Sequence, residues 1–271
     1  MARLVAQDVG DVSSPEARIV LEGASKVFGS RHGDTVAFQD VSLSVHEGEL
    51  LCVLGPSGCG KSTLLNIVAG LDQLSHGSVT VAGEPVAGPH YTRGMVFQDY
   101  ALFPWLTVEE NIRFGLDARR FKGDKQTIVA DLVALTRLQG FERARPAQLS
   151  GGMAQRVALA RALANQVEIL LMDEPFGALD AFTRMEMQEE IVRIVKAQRV
   201  TTVFVTHDID EALYVGDRVA IMSAHPGELR RIIPVPIAHP RDRVDPQLVR
   251  LREEVFTEFN LAHTREQYYH I

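Results

Sequence analysis

Hydrophobic and polar positions alternate with different periods along this chain, and the changes of period mark out its elements. Ile19-Val20-Leu21, Val41-Ser42-Leu43-Ser44-Val45 and Ser78-Val79-Thr80-Val81, set among Gly-bearing turns between Arg18 and Val86, read as short β-strands. Three other runs are apolar throughout: Leu50-Leu51-Cys52-Val53-Leu54, Ile169-Leu170-Leu171-Met172 and Val203-Phe204-Val205. Runs of that kind are buried on both faces, and their spacing between helical patterns predicts a parallel sheet covered on both sides. Thr107-Val108-Glu109-Glu110 matches a capping box and predicts a helix start. From Thr107 to Ala164, Arg, Leu and Ala dominate without a strand pattern, which predicts a helical subdomain inserted into an α/β core. Arg184 to Arg199 predicts a further helix that buries Met185, Ile191, Val192 and Val195. Residues up to about Glu16 read as a loose tail. After Pro226 the chain turns Pro-rich and polar, and its last 46 residues are too few for a typical regulatory domain.

Composition narrows the class. The 271 residues carry 28 Lys+Arg against 35 Asp+Glu, a formal charge of -7, which argues against a general nucleic-acid binder. No apolar stretch approaches the roughly 18–20 residues of a membrane-spanning helix. Met1 to Pro15 lacks the basic and apolar blocks of a signal peptide. The two cysteines, Cys52 and Cys59, lie too close in sequence to staple a fold, so a reducing compartment is expected. The expectation is a soluble intracellular protein.

The chemistry sits at the ends of the apolar runs. Gly55-Pro56-Ser57-Gly58-Cys59-Gly60-Lys61-Ser62-Thr63 satisfies G-x-x-x-x-G-K-[ST], between a buried strand and a helix with Leu64, Ile67, Val68 and Leu71 on one side. Glycines let successive N–H groups turn inward around an anion, and the helix N-terminus adds positive potential. Lys61 is expected to reach the β- and γ-phosphates, and the Ser62 hydroxyl to ligate Mg²⁺. The bare pattern arises by chance about 0.01 times in a chain of this length. Asp173 and Glu174 end the second apolar run: the first is placed to hold the Mg²⁺ shell, the second to polarise a water for attack on the γ-phosphate. Acids often follow strands merely as solvated ends; the neighbouring phosphate loop favours the functional reading. The third run ends in Thr206-His207-Asp208, where open α/β sheets bind ligands, so His207 is placed to bond the γ-phosphate or orient Glu174. Cys59 reads as a small filler; its modification is expected to block nucleotide binding, and ATP to protect it from a maleimide.

Leu149-Ser150-Gly151-Gly152-Met153-Ala154-Gln155-Arg156, shortly before Asp173, resembles the L-S-G-G-Q signature of ABC-transporter ATPases. The family's other motifs follow in order: Gln98 in Met95-Val96-Phe97-Gln98-Asp99, Ala178-Leu179-Asp180, and His207. The resemblance covers about Ile19 to Ser223. It implies an α/β P-loop NTPase core of the ABC ATPase type over residues 18–225, with an antiparallel β subdomain and a helical subdomain inserted at about 99–164. A tail (1–17) and a short C-terminal extension (226–271) flank it. By the same resemblance Phe28 stacks on adenine, Gln98 contacts Mg²⁺ and the attacking water, and Asp180 crosses a dimer interface. Ser150, Gly151 and Gly152 bind the γ-phosphate held by the other subunit, a role suited to a helix start with unhindered N–H donors. Met153 departs from the broader family's Gln without disturbing those donors. That Met form, Phe176-Gly177-Ala178-Leu179-Asp180-Ala181, Ala101-Leu102-Phe103-Pro104-Trp105 and Ser223-Ala224-His225-Pro226-Gly227 resemble the nitrate/sulfonate/taurine importer branch.

The implied function is that of an ATP- and Mg²⁺-dependent motor subunit of an importer of a small solute. It is expected to work as a homodimer on the cytoplasmic face of the membrane. Its partners would be membrane permease subunits and, indirectly, a periplasmic or extracellular solute-binding protein, with no nucleic acid. Trp105 lies on the segment that faces the membrane subunit in this family, and its residues leave packing and docking both open. An exporter ATPase shares all these motifs. A soluble ABC protein of DNA repair or translation would need a long coiled coil or a second cassette, and a non-enzymatic adaptor would not need Glu174, Gln98 and His207.

Overall fold

A computed structural model of the protein describes residues 17–30, 33–224 and 226–264. Most of the expected N-terminal tail, His225 and the last seven residues of the extension lie outside these. Two sheets organise the fold. Strands β1 (Ala17–Phe28), β2 (Thr35–His46), β4 (His76–Val81) and β5 (Glu84–Pro85) form an antiparallel sheet in the order β2-β1-β4-β5. The second sheet has six strands: β3 (Leu50–Leu54), β6 (Arg93–Val96), β7 (Ile169–Asp173), β8 (Thr201–Thr206), β9 (Arg218–Ser223) and β10 (Glu228–Pro234). Their order is β10-β9-β3-β8-β7-β6, parallel except for the β9–β10 hairpin.

The all-apolar runs form the middle of this sheet, and their side chains alternate between two cores. Leu50, Cys52 and Leu54 of β3, Leu170 and Met172 of β7 and Phe204 of β8 enter one; Leu51, Val53, Ile169, Leu171, Val203 and Val205 enter the other. Helix α1 (Lys61–Ala69) and the antiparallel sheet close the second face. The first is covered by α2 (Val108–Ala118), α3 (Lys125–Leu135), α4 (Gly151–Leu163), α5 (Ala181–Gln198), α6 (Ile209–Val215) and α7 (Pro246–Thr264).

The capping box at Thr107 is present: its side chain accepts from the Glu110 amide while Glu110 accepts from the Thr107 amide. No strand occurs from Thr107 to Ala164. Several expectations differ from what is found. Leu71 does not extend the buried face of α1, because Gly70 ends the helix at φ 80° and leaves Leu71 53% exposed. A side chain on Gly70 would collide with the Gly88 carbonyl, so the left-handed turn that ends α1 admits only glycine. Helix α5 begins at Ala181 rather than Arg184, since the Asp180 carboxylate caps the amides of Phe182 and Thr183. Ile191, Val192 and Val195 are buried as expected, but Met185 is exposed in the first turns and Met187 is buried in its place. The Pro-rich segment beyond Pro226 also joins the fold, since β10 pairs with β9 from Glu228 to Pro234 and α7 packs Leu248 and Val255 into the first core.

Candidate functional site: a phosphate loop beside three strand ends

Because β8 lies between β3 and β7, the three strands end side by side, and β8 carbonyls hold both neighbours. The Gly55 amide donates to Thr206 O (3.4 Å) and the Glu174 amide to Val205 O (3.0 Å). The loop from Gly55 to Gly60 turns through Gly58 (φ 83°) and Gly60 (φ 88°) into α1. At Gly60 a β-carbon would stand 2.8 Å from the Ala37 carbonyl, so the loop requires glycine there on steric as well as conformational grounds. Gly227 presses on the loop from behind, where any side chain would meet the Cys59 carbonyl. Sequence reasoning missed this support; the signal was the glycine two residues beyond His225, in a segment read only for family likeness.

Lys61 is buried, and its ammonium donates to the carbonyls of Gly55 and Pro56, both at 2.8 Å. It lies 3.8 Å from Oε1 of Glu174. On the other side of that carboxylate, Nδ1 of His207 donates to Oε2 at 2.9 Å. Glu174 itself adopts φ 42°, a left-handed conformation that costs a non-glycine residue about 1–3 kcal/mol and that turns the chain sharply off β7. The turn is closed by bonds from the Gly177 amide to Glu174 O (3.2 Å) and from the Leu179 amide to Phe176 O (3.1 Å). Ser62 donates from Oγ to Oδ1 of Asp173 at 2.9 Å. Burial raises the Asp173 carboxyl above its ordinary range, the Ser62 bond opposing this and the Glu174 charge adding to it. Two hard oxygen donors side by side at the loop mouth fit Mg²⁺, which takes one or two protein oxygens and completes its shell with phosphate and water. Among the described residues no cluster of three acidic, His or Cys side chains offers an all-protein cage.

Gln98 is exposed just past β6, and its Nε2 lies 3.8 Å from where a β-carbon on Gly177 would stand, so it faces the turn that carries Glu174. Phe28 stands 43% exposed at the end of β1, with the Lys26 ammonium 4.8 Å from its ring centroid. Ser57 and Gly58 are exposed, Pro56 and Thr63 half-buried. At the signature, Ser150 caps α4 by accepting from the Met153 amide at 3.3 Å. Gly152 lies against α5, where a β-carbon would come 2.7 Å from Thr183 Cγ2, and Gly151 lies against Leu179. Among the described residues no hydrogen bond joins this turn to the phosphate loop of the same chain. The Asp180 carboxylate is held below its usual range by its bonds to Thr183 and to the backbone of the first turn of α5. Trp105 is 66% exposed, with its ring 5.6 Å from Phe103, which in turn sits 4.4 Å from Phe114.

Cys59 corrects one expectation. Its side chain is fully buried, and desolvation raises the thiol's pKa despite Lys61 nearby. Burial denies a maleimide both access and the thiolate. Cys52 is buried and raised in the same way. A thiol titration of the native protein is expected to find neither cysteine reactive, with or without ATP, and both reactive in denaturant. Fast labelling of one thiol that ATP blocks would reinstate the accessible phosphate-loop cysteine.

A glycine-rich loop with a buried lysine, a Ser–Asp pair beside it and a glutamate bonded to a histidine define a nucleoside-triphosphate hydrolase of the P-loop class. A sequence profile described as ABC transporter matches residues 38–177, and the chain belongs to this family. It is 47% identical to an aliphatic sulfonates import ATP-binding protein of Bacillus licheniformis, over 88% of this chain and 93% of that one. It is 46% identical to the protein of the same description from Bacillus subtilis, over 86% of this chain and 91% of that one. Among solved structures it resembles a dimeric ATP-binding cassette in a post-hydrolysis state with ADP and phosphate. That likeness has a TM-score of 0.72 at 31% identity, over 81% of this chain and all of the other. The chain is accordingly an ABC ATPase.

Proposed function

We propose that this chain is the ATP-hydrolysing motor of an importer for a small organic sulfonate. It would act as a homodimer beneath two permease subunits on the cytoplasmic face of the membrane, supplied by a solute-binding protein outside. The observation that carries the motor reading is the Glu174 carboxylate, held between Lys61 and His207 beside the Ser62–Asp173 pair. In this reading the loop amides from Gly55 to Thr63 and Lys61 bind the phosphates of ATP. Ser62, Asp173 and Gln98 hold Mg²⁺, which neutralises charge on the β- and γ-phosphates when bound. Glu174 accepts a proton from the attacking water, and His207 fixes the carboxylate and bonds the γ-phosphate.

Ser150, Gly151 and Gly152 would complete the site of the partner subunit, with Asp180 at the interface and Phe28 against adenine. The likeness to dimeric cassettes favours this division. Exposed Pro104 and Trp105 beside half-buried Phe103 support docking of a permease helix over packing. No helix among the described residues is long and apolar enough to cross a membrane, which suits a subunit that relies on others to span it. The cargo is inferred from the aliphatic sulfonates for which the Bacillus relatives are named.

Uptake tests this reading. Cells lacking the chain should lose accumulation of a radiolabelled alkanesulfonate and regain it with the wild-type protein but not with Glu174→Gln. Unchanged sulfonate uptake in the deletion strain would refute the cargo, whichever other solute the strain failed to take up.

A further inference from the structure

The residues after β10, which the motifs leave without a role, hold one side chain that the fold treats unusually. Arg241 is 5% exposed, yet among the described residues no carboxylate bonds it. Its donors go to main-chain carbonyls alone. Nε bonds Ile237 O (2.8 Å), Nη2 bonds Val235 O (3.2 Å), and Nη1 serves Leu213 O (2.6 Å), Tyr214 O (3.2 Å) and Gly216 O (2.7 Å). The last three carbonyls belong to the final turn and C-cap of α6. Helix ends leave such carbonyls without intrahelical partners and carry partial negative charge, so a buried guanidinium there both satisfies and anchors them. Desolvation lowers the pKa of this guanidinium, with Asp217 opposing, so the arrangement has a cost that the carbonyl bonds offset.

Helix α6 starts just past the N-cap neighbour of His207, the histidine that would link Glu174 to the γ-phosphate and so switch hydrolysis. Asp208 caps it by accepting from the amides of Asp210 (2.8 Å) and Glu211 (3.1 Å). Thr206, at the end of β8, donates to Glu211 of α6 at 2.7 Å. His207 therefore sits in the chain between β8 and the seven-residue α6, so a tilt of α6 moves the backbone that carries the imidazole. The segment that carries Arg241 grips the same helix at further points. Arg243 lies over the Tyr214 ring, 3.7 Å from its centroid, and donates to Gln188 of α5. Arg252 of α7 pairs with Asp210 in the first turn at 2.8 Å. The exposed Arg252 pair contributes little alone; the buried Arg241 anchor decides where α6 sits.

We propose that Arg241 is a positioning residue for ATP hydrolysis, seating α6 so that His207 meets Glu174. The C-terminal segment would then act as a brace on the switch histidine. This rests on the roles of His207 and Glu174 given under the proposed function, and a double-mutant cycle on the full-length chain separates the two. Arg241→Lys keeps the charge and the stem but loses the fork that spans several carbonyls. It is expected to lower kcat roughly 10- to 100-fold, the scale of a small misplacement at a reacting group, with the Kd for ATP unchanged. His207→Ala is expected to lower kcat as well, and Arg241→Lys added to it should lower kcat no further.

Multiplying effects in the double variant, or wild-type kcat in folded Arg241→Lys, would overturn the brace. Wild-type kcat in His207→Ala would instead overturn the role of the histidine, and the brace with it. Should Arg241→Lys fail to fold, Arg243→Lys, which loses the planar stack on Tyr214 of α6 and the fork toward Gln188, provides the second arm. A several-fold fall in kcat that vanishes in the His207→Ala background supports the proposal, and no fall, or one that persists there, refutes it.

Discussion

Glu174→Gln is expected to bind ATP with wild-type affinity, to hydrolyse it about 10²–10⁴-fold more slowly, and to accumulate as a dimer in saturating Mg-ATP. The substitution is nearly isosteric. It leaves the left-handed turn, the bond from the Glu174 amide to Val205 O and an oxygen for His207 in place, and it removes only the basic carboxylate. Binding is retained because the phosphate contacts belong to the loop and Lys61, and Lys61 keeps its bonds to the Gly55 and Pro56 carbonyls when the carboxylate 3.8 Å away is neutralised. Single-turnover hydrolysis, nucleotide titration and light scattering measure the three quantities. Turnover at the wild-type rate would remove Glu174 from its role as base. A variant that stays monomeric in saturating Mg-ATP would remove the shared site, and with it the assignment of Ser150, Gly151 and Gly152 to the partner's nucleotide.

Phe204→Ala is the largest expected loss of stability. Phe204 is fully buried in β8, and its ring lies 5.3 Å from that of Phe176, also fully buried, just after Glu174. Truncating a buried phenylalanine costs about 3–5 kcal/mol, the lost transfer energy plus the cavity it leaves. That is a large share of the roughly 5–15 kcal/mol that holds a domain together. Urea denaturation should show a lowered midpoint with an unchanged slope. The fraction still folded should turn over ATP more slowly, because Phe176 loses the surface that sets the Glu174 turn. A destabilisation under about 1 kcal/mol would mean that the core collapses into the space and that the two rings are not a fixed pair.

The parts of the fold that could be read from the sequence are those whose causes are local. The buried strands β3, β7 and β8 announce themselves as unbroken apolar runs, and Thr107 to Glu110 carries its capping box in four consecutive residues. The phosphate loop and the acids after β7 are likewise written in short spacings. What escaped depends on contacts distant in sequence. Leu71 continues the period of α1, but Gly70 turns the chain because the Gly88 backbone lies against it. Met185 and Met187 offer the same chemistry to opposite sides of α5, and only the packed neighbours select the second. Strand β10 carries two consecutive arginines and ends in proline, a composition that suits an edge strand and resembles loop until its partner β9 is known. Arg241 reads as one more surface arginine, since nothing nearby in sequence reveals that five carbonyls converge on it.

The place of β8 has a bearing on how this protein breathes. Its carbonyls anchor the start of the phosphate loop and the base, and its own end carries the histidine, so the chemistry hangs on a central strand with neighbours on both sides. Amides in such a strand exchange with solvent only when the sheet as a whole opens. The three strand ends should therefore share one exchange free energy, close to that of global unfolding. Partial opening would be confined to the outer helices and the sheet edges, so the backbone of the three strand ends should survive fluctuations short of complete unfolding, while the His207 side chain alone follows α6.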